Sequence, residues 1–223
     1  MKPLRTLETV ETKEGPLSLK QRDEHDFLIT VDGRVLMTST AHRSEVALGA
    51  VACKRLQTYA SPKVLVGGLG MAYTLRAVLD WLPKGAKVTV AELNPVVEKW
   101  CKGPLAHLTD KAVEDPRVTV AIEDVAKSIN RAANSGLEEK FDAIVIDLYV
   151  GPDAGAKKDH PLYGVKACDN ARKALRSGGI FAIWGEAYDP TFERRLQKVG
   201  FQVRHEKPGK GGYKHVIYVA QRP

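Results

Sequence analysis

Several features that define common protein classes are missing from this chain. No apolar run approaches the roughly 20 residues needed to cross a bilayer. Met1 to Lys20 is mixed and charged with no apolar h-region, so neither a membrane span nor a signal peptide is expected. Cysteine is scarce: Cys53, Cys101 and Cys168 are odd in number and widely spaced. They fit a reducing cytosol better than a disulfide framework. No Cys/His cluster has zinc-ligand spacing, so no metal is expected. The absence of a G-x-x-x-x-G-K-[ST] run excludes a P-loop protein. There is no internal repeat and no low-complexity tract.

What is present fits one large α/β unit with a small appendage. The chain has 223 residues, 43% of them hydrophobic, and a formal net charge of +7. That charge attracts anions in general without naming a target. Phe27–Val31 and Arg34–Met37 flank Asp32-Gly33, a two-residue hairpin signal, and Leu17–Lys20 offers a further strand. Ser44–Leu56 has helical patterning. From Lys63 onward, strands and helices alternate. Strands are expected at Lys63–Gly67, Val88–Glu92, Arg117–Ile122, Phe141–Asp147 and Ile180–Trp184. Helices are expected at Met71–Leu82, Val125–Ala133, Tyr163–Leu175 (ended by Gly178-Gly179) and Pro190–Val199. Phe201–Glu206 and His215–Ala220 close the chain as a hairpin. Such alternation predicts a mostly parallel sheet covered on both faces by helices, with an antiparallel last strand.

Ligands of such sheets bind at the carboxyl ends of the strands. Gly67, Gly68 and Gly70 follow the first parallel strand and allow backbone to approach a ligand closely. Glu92 ends the second strand about 20 residues later, where an acid can accept hydrogen bonds from both ribose hydroxyls. Asn94 and Pro95 are explained locally as a helix cap and first helical residue. After the third strand, Glu123 and Asp124 either cap the next helix or lie near an adenine amino group. Asp147, after the fourth, is either a strand-end cap or a catalytic or substrate-orienting acid. Met71, Ala72 and Tyr73 follow the glycines, so the third glycine of a dinucleotide site is missing. A single nucleoside without a pyrophosphate is the better fit.

From Phe27 to about Trp184 the chain resembles the spermidine synthase family, whose fold is that of the class I S-adenosylmethionine-dependent methyltransferases. The matching segments run in order: the Phe27–Met37 hairpin with Ala41-His42-Arg43-Ser44-Glu45, then Val64–Gly70, Val88–Asn94, Asp115-Pro116-Arg117-Val118, Phe141–Asp147, Leu162-Tyr163 and Leu175–Ile180. The resemblance implies a Rossmann-like seven-stranded sheet. It divides the chain into a β-hairpin region, 1–43, and a nucleoside-binding transferase domain, 44–223. It implies S-adenosylmethionine or its decarboxylated form as co-substrate and a homodimer. Asp147 becomes the base or orienter facing the sulfonium end, with Tyr149 walling the pocket. His42, Asp153 and Tyr163 are candidates on the substrate side. His160, beside Pro161, is a further candidate to reach the site, and the loop Ala154–His160 is a candidate for a cover.

Two departures bear on chemistry. The family's G-G-x-D-G-G loop has Gly70 at its acid position, and its D-S-[ST]-D-P stretch becomes Asp147-Leu148-Tyr149-Val150-Gly151, with Val150 in place of the second acid. Losing two acids weakens binding of cationic amines and relieves repulsion of a carboxylated donor. The net charge points the same way. The expected activity is therefore methyl transfer from S-adenosylmethionine to a small acceptor, with aminopropyl transfer as the alternative. A nucleic-acid methyltransferase would use the basic tail Lys207, Lys210, Lys214 and Arg222 around Tyr213. However, no Asn-Pro-Pro-Tyr-type base-flipping signature is present, so nucleic acid is not the expected partner. A non-catalytic nucleoside-binding protein is the remaining alternative.

Overall fold

The computed structural model describes residues 2–152, 159–208 and 215–223. Its centre is a seven-stranded sheet built from alternate apolar positions. The strands are β5 (Lys63–Gly67), β6 (Lys87–Glu92), β7 (Val118–Ile122), β8 (Phe141–Ile146), β9 (Leu175–Gly185), β10 (Gln202–Glu206) and β11 (Val216–Gln221), in the order β10-β11-β9-β8-β5-β6-β7. β5 to β9 pair in parallel, whereas β11 runs antiparallel to both β9 and β10. Val64, Val66, Ala143, Val145 and Val219 enter one buried cluster. Their neighbours Leu65, Ile144, Ile146, Phe181 and Tyr218 enter the other. Both faces are therefore buried, which is why these strands read as continuous apolar runs.

Helices α1 (Arg43–Cys53), α2 (Tyr73–Asp80) and α3 (Pro95–Lys102) carry residues of the first cluster, and α4 (Val125–Ala133), α5 (Val165–Ala174) and α6 (Pro190–Lys198) those of the second. Gly49 is what brings α1 close to α2. A Cβ there would lie 2.6 Å from the Ala77 Cβ and 2.9 Å from backbone. The expected start of α2 at Met71 moves to Tyr73, because Ala72 adopts a left-handed φ of 65°. The expected helix end at Gly178-Gly179 is also corrected. Leu175 turns extended straight after α5, and both glycines lie within β9. There the Gly178 amide donates to the Arg222 carbonyl and the Arg222 amide to that of Gly179.

The N-terminal region holds more than a hairpin. β1 (Arg5–Thr12), β2 (Gly15–Asp23), β3 (Asp26–Val31) and β4 (Arg34–Thr38) form a four-stranded antiparallel meander. Asp32 and Gly33, both at positive φ, make the two-residue turn between Val31 and Arg34, as Asp-Gly requires. β1 escapes sequence reading because Arg5–Thr12 has no buried residue. Glu8 on that strand accepts from the Trp100 Nε1 at 2.8 Å and pairs with Lys99 at 2.7 Å, which ties the meander to α3.

One buried acid joins three parts of the sheet. Asp142 on β8, 5% exposed, accepts from the Lys63 amide at 2.8 Å and from Arg176 at 2.9 Å. Asp142→Ala leaves that amide and the guanidinium unpaired, and is expected to cost about 1–3 kcal/mol of unfolding free energy. Urea denaturation measures it, and an unchanged midpoint would show that the acid is not a structural tie.

Candidate active site

A cavity of about 460 Å³ opens at the carboxyl ends of the parallel strands, where the sequence places it. Its floor is the loop after β5. Gly68 holds a φ of 91°, and a Cβ on it would lie 2.3 Å from the Asp147 carbonyl oxygen, so no other residue fits there without moving backbone. The ladder continues past the strands through the Gly68 amide to the Ala91 carbonyl and the Asp147 amide to that of Gly67, both at 2.9 Å. Gly70, with a φ of 53°, faces Met37 of β4, whose Sδ would lie 2.8 Å from an added Cβ. The position where the resemblance calls for an acid therefore abuts a thioether.

Glu92 is buried. One oxygen accepts from the Leu69 amide at 3.0 Å and the other from the Asn94 amide at 2.8 Å. It thus has a local structural role that the sequence did not reveal: it fixes the glycine loop to the end of β6. Burial nevertheless raises its carboxyl above the usual range, against those amides. Each oxygen keeps acceptor capacity toward the cavity. Asp124 caps α4 by accepting from the Ala126 amide at 2.9 Å. Glu123 bonds Ser128 and pairs with Arg131 at 2.6 Å, which holds its carboxyl below the ordinary value. Both line the cavity, but their first commitments are to α4.

Asp147 accepts from the Thr74 hydroxyl at the start of α2. Burial pushes its carboxyl up to about 7, and the nearby Glu45 charge adds to the rise. Tyr149 is half exposed and its hydroxyl lies 3.5 Å from Glu14. Buried Tyr163 donates to the Val150 carbonyl at 2.9 Å and so secures the segment after β8. The His160 ring stacks on it at 4.9 Å and accepts from the Leu162 and Tyr163 amides through Nδ1. His42 is not in the cavity wall. It precedes α1, stacks on Tyr73 at 4.2 Å, and has its Nδ1 3.0 Å from the Ser39 carbonyl. Asp153, most of the expected cover loop, and Lys210, Tyr213 and Lys214 lie outside the described residues.

Two carboxylates that sequence reasoning missed stand in the same wall: Glu14, from the β1–β2 turn, and Glu45, in the first turn of α1. With Glu92, Glu123, Asp124 and Asp147 they make six, and no Lys or Arg is among the described lining residues. Among the described residues, no group of three or more His, Cys, Asp or Glu is arranged to hold a metal ion, and no helix is long and apolar enough to cross a membrane.

The strand order, the glycine loop and the acid at the end of β6 define a class I methyltransferase-like fold. The spermine/spermidine synthase domain family matches residues 50–198, and the chain belongs to that family. The polyamine aminopropyltransferase of Shouchella clausii is 30% identical over 200 residues, 88% of this chain and 66% of the relative. That of Clostridium tetani is 32% identical over 144 residues, 63% of this chain and 48% of the relative. The matched part thus spans about half to two thirds of these relatives' length. A spermidine synthase in complex with the transition-state analogue AdoDATO superposes with a TM-score of 0.72 at 20% identity, covering 98% of this chain and 73% of that one. Human methyltransferase-like protein 13, in complex with SAH, gives 0.61 at 19% identity, with 82% of each chain covered. At these identities both show the fold alone. These curated relatives are named for aminopropyl transfer and do not indicate methylation, so they favour the aminopropyl alternative over the expected methyl transfer.

The raised carboxyl of Asp147 sets a pH dependence of stability. Its ordinary value is 3.8 and its folded value about 7. Between these the folded chain holds more protons than the unfolded one, so this group's contribution falls as pH rises through that window and is constant outside it. Asp147→Asn removes the loss. Urea midpoints of the variant should gain on wild type from about pH 4 to about pH 7, whereas a constant difference would place Asp147 in an ordinary solvated setting.

Proposed function

We propose that the chain is an aminopropyltransferase of the polyamine type, which moves the aminopropyl group of decarboxylated S-adenosylmethionine to a small amine. The observation that carries this reading is the charge of the cavity: six carboxylates and no lining Lys or Arg among the described residues. Donor and acceptor are both cations, and a partly desolvated ammonium needs carboxylate partners. The net charge of +7 belongs to the whole surface and does not describe this wall. The acids missing at Gly70 and Val150 are offset by Glu14 and Glu45, from elements remote in sequence. The family relatives named as polyamine aminopropyltransferases support the same reading. The family resemblance adds a homodimer, and the three widely spaced cysteines fit a reducing cytosol.

In this reading Glu92 holds the ribose hydroxyls with the lone pairs left after Leu69 and Asn94. The Asp124 oxygen not used in capping faces the adenine amino group. The acceptor nitrogen displaces sulfur at the propyl carbon: a nitrogen–carbon bond forms, the carbon–sulfur bond breaks, and its electron pair neutralises the sulfonium to a thioether. The nitrogen's proton passes to Asp147, whose carboxyl near 7 suits a base at neutral pH. Tyr149 closes the mouth beside Glu14. Alignment of the two reactants supplies most of the rate enhancement.

Parallel calorimetric titrations with decarboxylated S-adenosylmethionine, S-adenosylmethionine and methylthioadenosine test the donor. The decarboxylated donor is expected to bind most tightly, and preference for the carboxylated one would overturn the reading. Glu92→Ala should weaken all three about tenfold or more, the scale of a lost hydrogen bond to a charged group; unchanged affinities would remove Glu92 from the ribose. The acid limb of kcat/KM should fall near pH 7 with activity rising above it. The kcat limb should lie lower, because bound cations favour ionised Asp147. A flat profile from pH 5 to 8 would exclude Asp147 as the base.

A further inference from the structure

Resting on the aminopropyl reading, we propose that Glu45 is the second carboxylate of the acceptor site and that it binds, together with Asp147, the ammonium of an aliphatic amine. Glu45 lies upstream of the domain match at residues 50–198, in the Ala41–Glu45 segment that resembles the family's helix start, and that resemblance assigns it no role.

Three observations place it. First, α1 is held rigidly where its first turn meets the cavity. Gly49 allows close contact with Ala77 and the backbone of Val78, and the His42 ring lies flat on Tyr73, with an interplanar angle of 9°. Tyr73 is the first residue of α2, and the next residue, Thr74, bonds Asp147. The chain of contacts from α1 to Asp147 thus passes through two well-packed helix starts.

Second, Glu45 and Asp147 are the cavity acids whose partners are hydroxyls alone and well within hydrogen-bond range. Glu45 accepts from the Ser44 hydroxyl at 2.7 Å, and Asp147 from that of Thr74. By contrast, Glu92 holds two backbone amides, Asp124 one, and Glu123 an arginine, while Glu14 stands 3.5 Å from Tyr149. Among the described residues, neither Glu45 nor Asp147 forms a salt bridge with Lys, Arg or His, and the Glu45 charge raises the Asp147 carboxyl. Two like charges in a partly buried wall are unfavourable without a cation, and a bound ammonium has three N–H donors to share between them.

Third, the acid nearest the glycine loop, Glu92, is committed to the Leu69 and Asn94 amides. Gly70 there meets the Met37 thioether, so the cation is drawn to the Glu45–Asp147 end. The ordinary explanation for Glu45 is an acid placed in the first turn of a helix, where the macrodipole favours it. That role predicts a small loss of stability on substitution and no effect on amine binding.

The test is calorimetric binding of 1,4-diaminobutane to the full chain saturated with methylthioadenosine. Glu45→Gln should weaken the diamine at least about tenfold, with methylthioadenosine affinity unchanged within about twofold. Glu45→Asp, which keeps the charge on a shorter stem, should recover part of the loss. Thermal melts of both variants establish that they are folded. Wild-type diamine affinity in folded Glu45→Gln would overturn the proposal, as would an Asp variant no better than Gln. Absence of diamine binding to the wild type would also overturn it, while the methylthioadenosine titration would still report separately on the nucleoside half of the site. If the wild type binds the diamine through Glu45 but transfers nothing to it from decarboxylated S-adenosylmethionine, the aminopropyl reading fails and the assignment of Glu45 stands.

Discussion

The site depends on one close crossing of backbone. After β5 the chain passes so near the end of β8 that a single added carbon on Gly68 would come within 2.3 Å of the Asp147 carbonyl oxygen. This contact sets the height of the glycine loop over the sheet and aims the Asp147 side chain at the start of α2, where Thr74 receives it. Glu92 fixes the other side of the loop by taking the Leu69 amide. An open cavity results because three strand ends are tied to one another by backbone and carboxylate, leaving the space above them free. The left-handed Ala72 belongs to the same constraint. A non-glycine residue at positive φ is strained, and here it turns the loop into α2.

Electrostatically the molecule is divided. Its formal charge is +7, yet the cavity is lined by acids without a lining Lys or Arg among the described residues. Low-dielectric walls concentrate the field of such a group, so the local sign governs which small molecules enter. The chain's overall charge governs only long-range encounters, and it is the weaker guide to substrate.

The parallel strands were legible in the sequence because burial on both faces writes them as continuous apolar runs, and Val125–Ala133 was readable to the residue because its apolar stripe is clean. That the glycine loop and Glu92 stand in the cavity wall followed from strand ends alone. β1 was not legible: none of its residues is buried and five of eight are exposed, and it is held by pairing with β2 and by Glu8 reaching Trp100 and Lys99. The start of β9 was misread because paired glycines after a helix ordinarily mark its end, whereas here they pair with the C-terminal segment at Arg222. Glu14 and Glu45 were invisible as site residues. An acid in a turn and an acid in a first helical turn both have ordinary explanations, and only the meander's docking on α3 and the packing of α1 on α2 brings them to the cavity.

The cavity is thus assembled from two sources of different kind. The strand ends of the family-matched segment supply one half, proposed above to hold the nucleoside, and their geometry is locked by the sheet. The turn of the meander, Met37 and the first turn of α1 supply much of the opposing wall, on elements that contribute few residues to the crowded strand-end backbone. Substitutions in the first source disturb folding and ligand together, while those in the second can alter the pocket's preference at small cost to stability. The elements upstream of residue 50 are therefore where substitution is expected to reshape the pocket while leaving the sheet undisturbed.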